Sequence, residues 1–361
     1  MKMECPLLTL RRPVTMLLVA MAVLVAHQSS GAPAQPTMRA HFINVGQAAM
    51  TLLEFPCGAV LIDAGSQGGQ YTQDAVNYLT RFFAGRPDLN NSLEEVIITH
   101  NHTDHTRALK TVAQHFTIKR FFDNGDLTLG GSDNPQWLRA EVAAGHSACK
   151  IRAVRQSDIS TLPQKTGLTD GDIDPLACAT CDPKIVLLKG RHSTNPGWSA
   201  ADFNEPNNHS IVIRVDFGSS SFLVTGDLEE RAILDLLNFY DGTPMLDVDV
   251  YLAGHHGSAN GTTDDFLLAI TPERAVISCG PATGGCGGQT AMKYGHPAWR
   301  TLDSLEKVIK FNRSPAIFPK VANGSCNFGT RKVKRRIYGT PWDGNIVITA
   351  KLDGTMTTTI K

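Results

Sequence analysis

A run of three histidines and one aspartate, T-H-N-H-T-D-H at positions 99–105, constrains this chain more than any other feature. It follows a short apolar strand predicted over residues 95–99 and precedes a helix predicted over residues 106–116. A turn between a strand and a helix can aim several side chains into one small volume. Imidazole nitrogens and carboxylate oxygens are ligands that zinc, manganese and iron favour. The alternative is a solvent-exposed polar turn, but the pattern favours a metal site.

Further candidate ligands stand at the ends of two later predicted strands. The apolar run from Phe222 stops on Gly226 and the carboxylate of Asp227, and the run from Tyr251 stops on His255 and His256. Each residue alone has an ordinary interpretation as a turn former or surface residue. Three such motifs in this order are much less expected by chance, so the sequence predicts that they converge on one site.

Strand and helix signals alternate along most of the chain, which is typical of an α/β architecture with sheets covered by helices. Strands are predicted over residues 39–45, 50–55 and 59–62, followed by a turn at Asp63 and a helix over residues 71–83. The pattern weakens between about residues 124 and 208, where glycine, proline, serine and cysteine are frequent. We interpret that stretch as a loop-rich insertion.

Residues 1–34 have the order of a secretory signal. Basic residues are followed by an apolar run from Val14 to Ala26, and then by small residues ending in Ala32-Pro33-Ala34. A membrane anchor is the alternative, but the apolar run is shorter than the roughly 20 residues that span a bilayer. We therefore expect an exported protein, periplasmic or secreted, that begins near Gln35 and keeps no stable membrane span.

The chain carries 34 basic and 34 acidic side chains, so its overall charge gives no general attraction to nucleic acid. One local run, from Arg331 to Arg336, holds five basic residues close to Phe328 and Tyr338. Phosphates attract such a run and aromatic rings can stack on bases, so it is a candidate nucleic-acid contact. The alternative is a solvated edge strand. If the run serves a polyanion, its side chains should share a face with the metals.

Seven cysteines follow the predicted signal, and in an exported protein they are expected to form disulfides. Cys279 and Cys286 flank a glycine-rich loop and are predicted to pair, as are Cys178 and Cys181 with more strain. A zinc site at Cys178 and Cys181 lacks the second pair that four ligands need. Since seven is odd, at least one thiol stays free or pairs between chains.

These motifs together resemble the metallo-β-lactamase superfamily, whose H-x-H-x-D-H signature is met by His100, His102, Asp104 and His105. More narrowly, the chain resembles the extracytoplasmic hydrolase domain of competence-type DNA-uptake channel proteins. The shared motifs are V-G-Q, L-I-D-A-G, N-x-S, L-x-T-G-D, H-H-G-S and Y-G-H-P, here at residues 45–47, 61–65, 208–210, 223–227, 255–258 and 294–297. The resemblance implies a four-layer αββα sandwich over residues 35–361.

The resemblance also implies two divalent metals, with zinc as the first expectation and manganese as the alternative. His100 and His102 would hold the first metal. Asp104, His105 and His255 would hold the second, and Asp227 would bridge both.

The family usually takes a third histidine of the first site from a G-H-T-P-G loop, which this chain lacks. His209 is the nearest substitute and His192 a remoter one. Asp63 would orient the metal loop through hydrogen bonds. The residues expected to act in catalysis are Asp104 and Asp227, as proton acceptors, and His256 and His296, as contacts to the substrate.

Such a site supports hydrolysis, because a coordinated water loses its proton near neutral pH. We expect a phosphodiesterase or nuclease that acts on DNA or nucleotides through a metal-bound hydroxide. The alternatives are a hydrolase of an amide, lactone or thioester, and a non-catalytic binding protein on the same fold. The chain has Ala48-Ala49-Met50 where the competence branch usually has Gly-Asp and a small polar residue, which leaves the substrate open.

Overall fold

Two β-sheets packed face to face form the centre of the structure, a computed structural model that describes residues 35–162 and 164–361. The predicted signal segment lies outside the described residues. Within these two ranges no helix is both long and apolar enough to cross a membrane.

Strands are short and follow one another closely along the chain. In chain order they are β1 Thr37–Phe42, β2 Thr51–Phe55, β3 Gly58–Ile62, β4 Ser92–Leu93, β5 Glu95–Ile97, β6 Thr117–Ile118, β7 Arg120–Asp123, β8 Lys150–Ala153, β9 Lys184–Lys189, β10 Val212–Phe217, β11 Ser220–Val224, β12 Val250–Leu252, β13 Arg274–Ile277, β14 Asn312–Ile317, β15 Lys320–Gly324, β16 Asn327–Thr330, β17 Val333–Arg335, β18 Ile337–Gly339, β19 Ile346–Lys351 and β20 Met356–Ile360. The first sheet has the order β20-β19-β1-β2-β3-β5-β7-β8, and the second has β18-β13-β12-β11-β10-β9.

Helices connect the strands and cover the outer faces of the sheets. They are α1 Gln70–Ala84, α2 Thr103–Thr106, α3 Leu109–His115, α4 Asp133–Ala143, α5 Gln156–Ser160, α6 Ala200–Asn204, α7 Glu230–Tyr240, α8 Asp264–Ile270, α9 Ala291–Tyr294, α10 Trp299–Val308 and α11 Thr340–Asp343. Short 3-10 turns lie at Pro206–His209 and His255–Gly257.

Three apolar layers hold these elements together. Between the sheets, Ile97 and Phe122 of the first sheet pack in one core with Ile213 and Val224 of the second. A second core lies under α1 and α3, and a third lies under α7, α8 and α10. Each fully buried aliphatic or aromatic side chain contributes about 1.5–3 kcal/mol through removal from water. The four layers confirm the predicted α/β sandwich.

Strand direction brings the candidate ligands to one edge. In the first sheet β3, β5, β7 and β8 are parallel, and in the second β11, β12, β13 and β18 are parallel. The carboxyl ends of parallel strands meet at the same edge of a sheet, where ligands usually bind. Asp63 follows β3, the histidine motif follows β5, Asp227 follows β11 and the histidine pair follows β12.

The stretch from residue 124 to residue 208 is more ordered than its composition suggested. It contains α4, α5 and α6, and it supplies β8 and β9, which are an edge strand of each sheet. β9 contains the apolar run Ile185 to Leu188, which is typical of a strand. The many turn-forming residues around this run obscured it in the sequence analysis.

Both predicted cysteine pairings are wrong. The structure pairs Cys57 with Cys178 and Cys286 with Cys326. Cys178 points into the core between the sheets, beside the β2–β3 turn that carries Cys57, while Cys181 stays free. Cys279 follows β13 and is a buried free thiol, because Cys286 is bonded to Cys326 instead.

The Cys57–Cys178 bond should contribute strongly to stability, because the two residues are 121 positions apart. A cross-link over that length removes about 4–5 kcal/mol of conformational freedom from the unfolded chain. We expect Cys57→Ala to lower the free energy of unfolding by about 4 kcal/mol in oxidised protein, measured by guanidinium denaturation.

Cys181→Ala is the matched control, and it should change that free energy by less than about 1 kcal/mol. Equal effects of the two substitutions on the free energy of unfolding would contradict the pairing. So would a labelling experiment in which the thiol of Cys57 becomes reactive when Cys181 is removed but stays unreactive when Cys178 is removed.

Candidate metal centre

The carboxylate of Asp63 organises the turn that carries the histidine motif. Its Oδ1 accepts hydrogen bonds from the Thr99 backbone N–H at 2.7 Å and from the Thr99 hydroxyl at 3.0 Å. Its Oδ2 lies 2.7 Å from Nδ1 of His105. An imidazole that donates Nδ1–H to a carboxylate presents its other nitrogen, Nε2, as a free lone pair. Asp63 therefore fixes both the backbone of the turn and the direction in which His105 points.

Four side chains from both sheets converge beside this turn. The ligand atoms of Asp104, His105, Asp227 and His256 all lie within 4.8 Å of one another. His105 Nε2 is 3.1 Å from Asp227 Oδ1, and His256 Nε2 is 3.3 Å from Asp104 Oδ2. Both nitrogens are buried, and neither makes a hydrogen bond of acceptable geometry with any described residue. The two nitrogens thus point into a common space rather than at a single partner.

His256 is oriented by the backbone of the second sheet. Its Nδ1 lies 2.8 Å from the carbonyl oxygen of Ser278, which follows β13 and can only accept. Nδ1 therefore carries a proton, and Nε2 points toward Asp104 and Asp227. His256 holds a left-handed backbone with φ of 53°, as does its neighbour His255 with φ of 49°. Such strain in residues other than glycine is concentrated at functional sites.

A second group of nitrogens lies on the other side of Asp227. His100 Nε2 is 3.0 Å from Nδ1 of His102 and 4.0 Å from Asp227 Oδ2. The other nitrogen of His100 lies 3.3 Å from the hydroxyl of Ser210, which aims the ring inward. The distance between the two nitrogens is that of an N–H···N hydrogen bond between the rings. His100 and His102 therefore lie close enough together to share a cation in place of that proton.

His255 does not lie where the sequence predicted. It was expected beside Asp104 and His105, but His256 takes that place. His255 directs Nδ1 at Asn260 Oδ1 at 3.1 Å and at Glu229 Oε1 at 3.4 Å, which leaves its Nε2 3.9 Å from Asp227 Oδ2. The left-handed turn sends the two neighbouring rings in different directions, and strand-end position alone could not show which ring enters the cluster.

His209 and His192, the two substitutes considered for the missing third histidine, lie together in another environment. His209 Nε2 is 2.8 Å from the carbonyl oxygen of Phe203, and its ring packs against Trp198 and Phe203. His192 packs against the same Trp198. The 3-10 turn at residues 206–209 rotates His209 away from the metal cluster, so the interpretation of His209 as a ligand is corrected.

The same turn presents Asn207 to the pocket, a residue that the sequence analysis missed. Its Nδ2 donates to Glu229 Oε1 at 3.0 Å, while its Oδ1 is buried and has no hydrogen-bond partner among the described residues. Nothing in the residue pattern distinguished Asn207 from Asn208, which follows it.

The charges of the cluster depend on one another. Burial opposes ionisation of Asp227 and Asp104, but the imidazoles of His105 and His256 outweigh it and hold both carboxyl pKa values below their usual range. Burial also lowers the pKa of His105, but Asp227 and Asp63 outweigh it and raise that pKa well above the usual value. For His100, burial and the neighbouring His105 and His102 lower the pKa well below the usual value.

This cluster opens to solvent through a pocket of about 280 Å³ whose wall carries hydrogen-bonding side chains. Gln47, Gln289 and His296 line it together with the metal-ligand candidates. Burial, together with the neighbouring His255 and His256, lowers the pKa of His296 to about 3, so this imidazole is neutral at ordinary pH. Tyr294, which is 45% exposed, stacks on His296, and His296 stacks on His256, each with ring centroids 6.0 Å apart.

The donor set fits a divalent metal. Two aspartates and several imidazoles are brought together, and the outer nitrogens of the imidazoles are fixed by Asp63, Ser278 and Asn260. Such outer contacts are the usual support of metal-bound histidines. Without a cation, the buried nitrogens of His105 and His256 would each leave hydrogen-bonding capacity unused, at a cost of about 1–3 kcal/mol.

Comparison with known proteins agrees with this geometry. The chain is 25% identical over 215 residues to ComE operon protein 3 of Bacillus subtilis (strain 168), covering 60% of this chain and 22% of that protein. It is 25% identical over 267 residues to Recombination protein 2 of Haemophilus influenzae, covering 73% of this chain and 26% of that protein. The chain thus spans about a quarter of the length of these curated relatives.

Among solved structures, the metallo-beta-lactamase fold protein YhfI from Bacillus subtilis is 14% identical. It covers 76% of this chain and 94% of its own, with a TM-score of 0.42. The family model of the metallo-beta-lactamase superfamily matches residues 43–280, which are 238 of the 361 residues. The chain belongs to the metallo-beta-lactamase superfamily.

Proposed function

We propose that this protein is an exported, metal-dependent phosphodiesterase that acts on DNA or nucleotides. The observation that carries the proposal is the cluster of Asp104, His105, Asp227 and His256, which opens onto a pocket walled by uncharged hydrogen-bond donors. A phosphodiester needs a strong positive centre at its oxygens and donors for the oxygens that the centre does not reach. This pocket provides places for both.

Two groups of side chains would hold the metals. Asp104, His105, Asp227 and His256 form one, and His100 with His102 forms the other. His255 supports the second group, since its Nε2 faces the same oxygen of Asp227 as Nε2 of His100 does. Bound divalent ions, zinc or manganese, would polarise a phosphoryl oxygen and lower the pKa of a water molecule.

Asp104 is the better placed of the two aspartates to accept the proton of the attacking water. Its side chain is 22% exposed and lines the pocket, whereas that of Asp227 is 5% exposed and lies between the histidines. Asp227 is suited to hold the two groups of ligands together. On the opposite wall, the neutral ring of His296 and the amide of Gln289 can donate to phosphoryl oxygens. Oε1 of Gln289 accepts a hydrogen bond from Arg107 Nη2 at 2.5 Å. The amide N–H groups of Gln289 are therefore not used in that contact and can donate to a substrate.

A surface with paired cations and aromatic rings begins close in sequence to His296. Arg331 lies over Trp299 at 5.6 Å, and Lys332 lies over Phe318 at 5.9 Å. Trp299 begins α10 only three residues after His296, and Phe318 is 63% exposed. Trp299 is half-buried, so Phe318 offers the more accessible ring. Cations beside such rings suit a nucleic-acid strand, because the cations neutralise phosphates and the rings can stack on bases.

The rest of the basic run lies at the other end of α10, so the run does not present one face as predicted. Arg336 lies over Phe311, which follows the helix, and α10 is about 15 Å long. Tyr338, expected to stack on a base, is buried beneath Arg313 at 5.0 Å. Successive side chains of β17 point to opposite faces, and β17 pairs with β14. The basic side chains therefore point in different directions, although they are neighbours in the sequence.

The relatives give independent support for nucleic acid as the substrate. Two of them are named ComE operon protein 3 and Recombination protein 2. Export is supported by the two disulfides, since such bonds persist in oxidising compartments. Hydrolysis of a carbonyl substrate is the alternative, and salt dependence distinguishes the two.

Metal binding should displace protons. The pKa values of His105 and His256 are raised in the metal-free site, so both rings carry protons that a metal must remove. Affinity for Zn²⁺ should therefore rise as pH rises toward neutrality and fall at acidic pH. Calorimetric titration in buffers of different ionisation enthalpy should show that the wild-type protein releases more protons than His256→Ala.

His115→Ala is the matched control, because His115 is exposed and bonds only its own helix. We expect the control to bind two Zn²⁺ per chain, as the wild type should, and His256→Ala to bind one tightly. Identical metal content and identical proton release in all three proteins would refute the ligand assignment.

Salt should weaken activity on DNA. Each neutralised phosphate contributes a slope of about −0.7 to −0.9 in log affinity against log salt. The double variant Arg331→Gln and Lys332→Gln should reduce that slope by about 1.5, and leave turnover of a small phosphodiester dye unchanged. Binding of single-stranded DNA, followed by fluorescence anisotropy at several salt concentrations, measures the slope.

Lys334→Gln with Arg336→Gln removes the same charge at the far end of α10 and should change the slope by less than about 0.5. If the two double variants behave alike, the surface beside Trp299 has no special part in binding. Hydrolysis of a chromogenic lactam with none of the phosphodiester dye would favour the carbonyl alternative.

A further inference from the structure

Gln47 is buried between the site and the second sheet and makes two side-chain hydrogen bonds. The backbone N–H of Gly280 donates to Oε1 of Gln47 at 3.2 Å. Nε2 of Gln47 lies 3.0 Å from Nδ1 of His296. The backbone N–H of Gln47 in turn donates to Oε1 of Gln67 at 2.9 Å, so the residue is fixed at both ends. Gln47 is only 1% exposed and takes no part in the metal cluster described above.

These contacts determine which ring nitrogen of His296 carries a proton. A backbone N–H can only donate, so the side-chain atom facing Gly280 must be the amide oxygen. The atom facing His296 is then the amide nitrogen, which carries hydrogens and no lone pair to accept with. Nδ1 of His296 must therefore be the bare, accepting nitrogen. In a neutral imidazole the proton is then on Nε2.

The rings on either side hold His296 in this orientation. Tyr294 stacks on it with an interplanar angle of 28°, and His256 with an angle of 27°. His296 lines the pocket, and its Nε2 has no hydrogen-bond partner among the described residues. This Nε2 is not one of the buried side-chain atoms that lack a partner. The N–H group is thus directed at the space where a substrate would lie.

We propose that Gln47 is a positioning residue that holds His296 as the Nε2–H tautomer, which donates a hydrogen bond to an oxygen of the phosphodiester. The substrate in this statement rests on the proposed function, while the tautomer does not. The opposite tautomer would turn a lone pair toward the lone pairs of the phosphoryl oxygens. It would also offer a bare nitrogen beside His255, whose ring centroid is 5.3 Å away, and so compete for the metal. Gln47 prevents both.

Gln47→Glu tests this assignment, because the new carboxylate has nearly the same shape and can accept only. It keeps the bond from Gly280 and accepts Nδ1–H from His296, which moves the proton away from Nε2. Nitrogen NMR of zinc-loaded, histidine-labelled protein should show His296 protonated on Nε2 in the wild type and on Nδ1 in Gln47→Glu. His296→Ala identifies the signals, and Gln114→Glu, an exposed site on α3, is the matched control.

Kinetics give a second measurement. Gln47→Glu should lower kcat for the phosphodiester dye roughly 100-fold, as loss of a preorganised donor does, with KM within about 2-fold. In a His296→Ala background the same substitution should cause no further loss, since Gln47 acts through that ring. Gln47→Leu, which removes both bonds without adding charge, should give a mixture of tautomers and a smaller loss.

Two results would overturn the proposal. One is an unchanged His296 tautomer in Gln47→Glu protein whose melting temperature shows that it is folded. If Gln47→Glu does not fold, an unchanged tautomer in Gln47→Leu protein has the same meaning. The other is a loss of kcat that is undiminished in the His296→Ala background. If the wild-type protein hydrolyses no phosphodiester, the proposed function fails, and the NMR measurement alone still decides the role of Gln47.

Discussion

The carboxylate of Asp63 is the contact on which the site depends. It is buried at the end of β3 and holds the backbone and hydroxyl of Thr99 and the ring of His105. Asp63 itself has a left-handed backbone, with φ of 56°, which turns the chain back under the histidine motif. A Cβ on nearby Gly65 would lie 1.7 Å from the carbonyl oxygen of Asp104, so only glycine permits this approach. One acidic side chain thus links the first sheet to the ligand-bearing turn.

Asp227 has the corresponding place in the second sheet. Its Oδ1 faces His105, and its Oδ2 faces His100, His255 and His256 at 3.5–4.0 Å. Burial and the neighbouring His105 and His102 lower the pKa of His100, which opposes protonation of that ring. Divalent cations between these side chains would balance the charge of the carboxylates and keep the imidazoles neutral. The electrostatics of the cluster therefore agree with its geometry as a candidate site for a divalent metal.

The sequence predicted what depends on local pattern, and it failed where rotation about a turn decides the outcome. Apolar runs located the strands before Asp63, Asp227 and His255, and strand direction then required these residues to meet. The H-x-H-x-D-H spacing predicted the metal loop directly. The sequence did not distinguish His256 from His255, because the left-handed turn at the pair rotates one ring inward. It misplaced His209 for a similar reason, since a 3-10 turn sends that ring toward Trp198.

Long-range pairing was the other source of error. Cys178 was paired with Cys181 because they are close in sequence, whereas the fold brings Cys57 to it from 121 residues away. The contact between Gln47 and His296 spans 249 positions and could not be inferred from either motif alone. V-G-Q and Y-G-H-P are unremarkable as separate strings, and they acquire a joint meaning only when the two sheets pack.

The site therefore belongs to neither sheet alone. Asp63, His100 and His105 come from the first sheet, while Asp227, His256 and the Ser278 carbonyl that orients His256 come from the second. Any movement of one sheet against the other would separate Asp227 from His105, whose atoms are 3.1 Å apart, and would break the hydrogen bond from Gln47 to His296 as well. The apolar core between the sheets, with Ile97 and Phe122 facing Ile213 and Val224, sets their spacing. Packing of this core thus fixes the positions of the metal-ligand candidates and of the hydrogen-bond donors that line the pocket. Cations bound between Asp227 and the histidine motif would also hold the two sheets together.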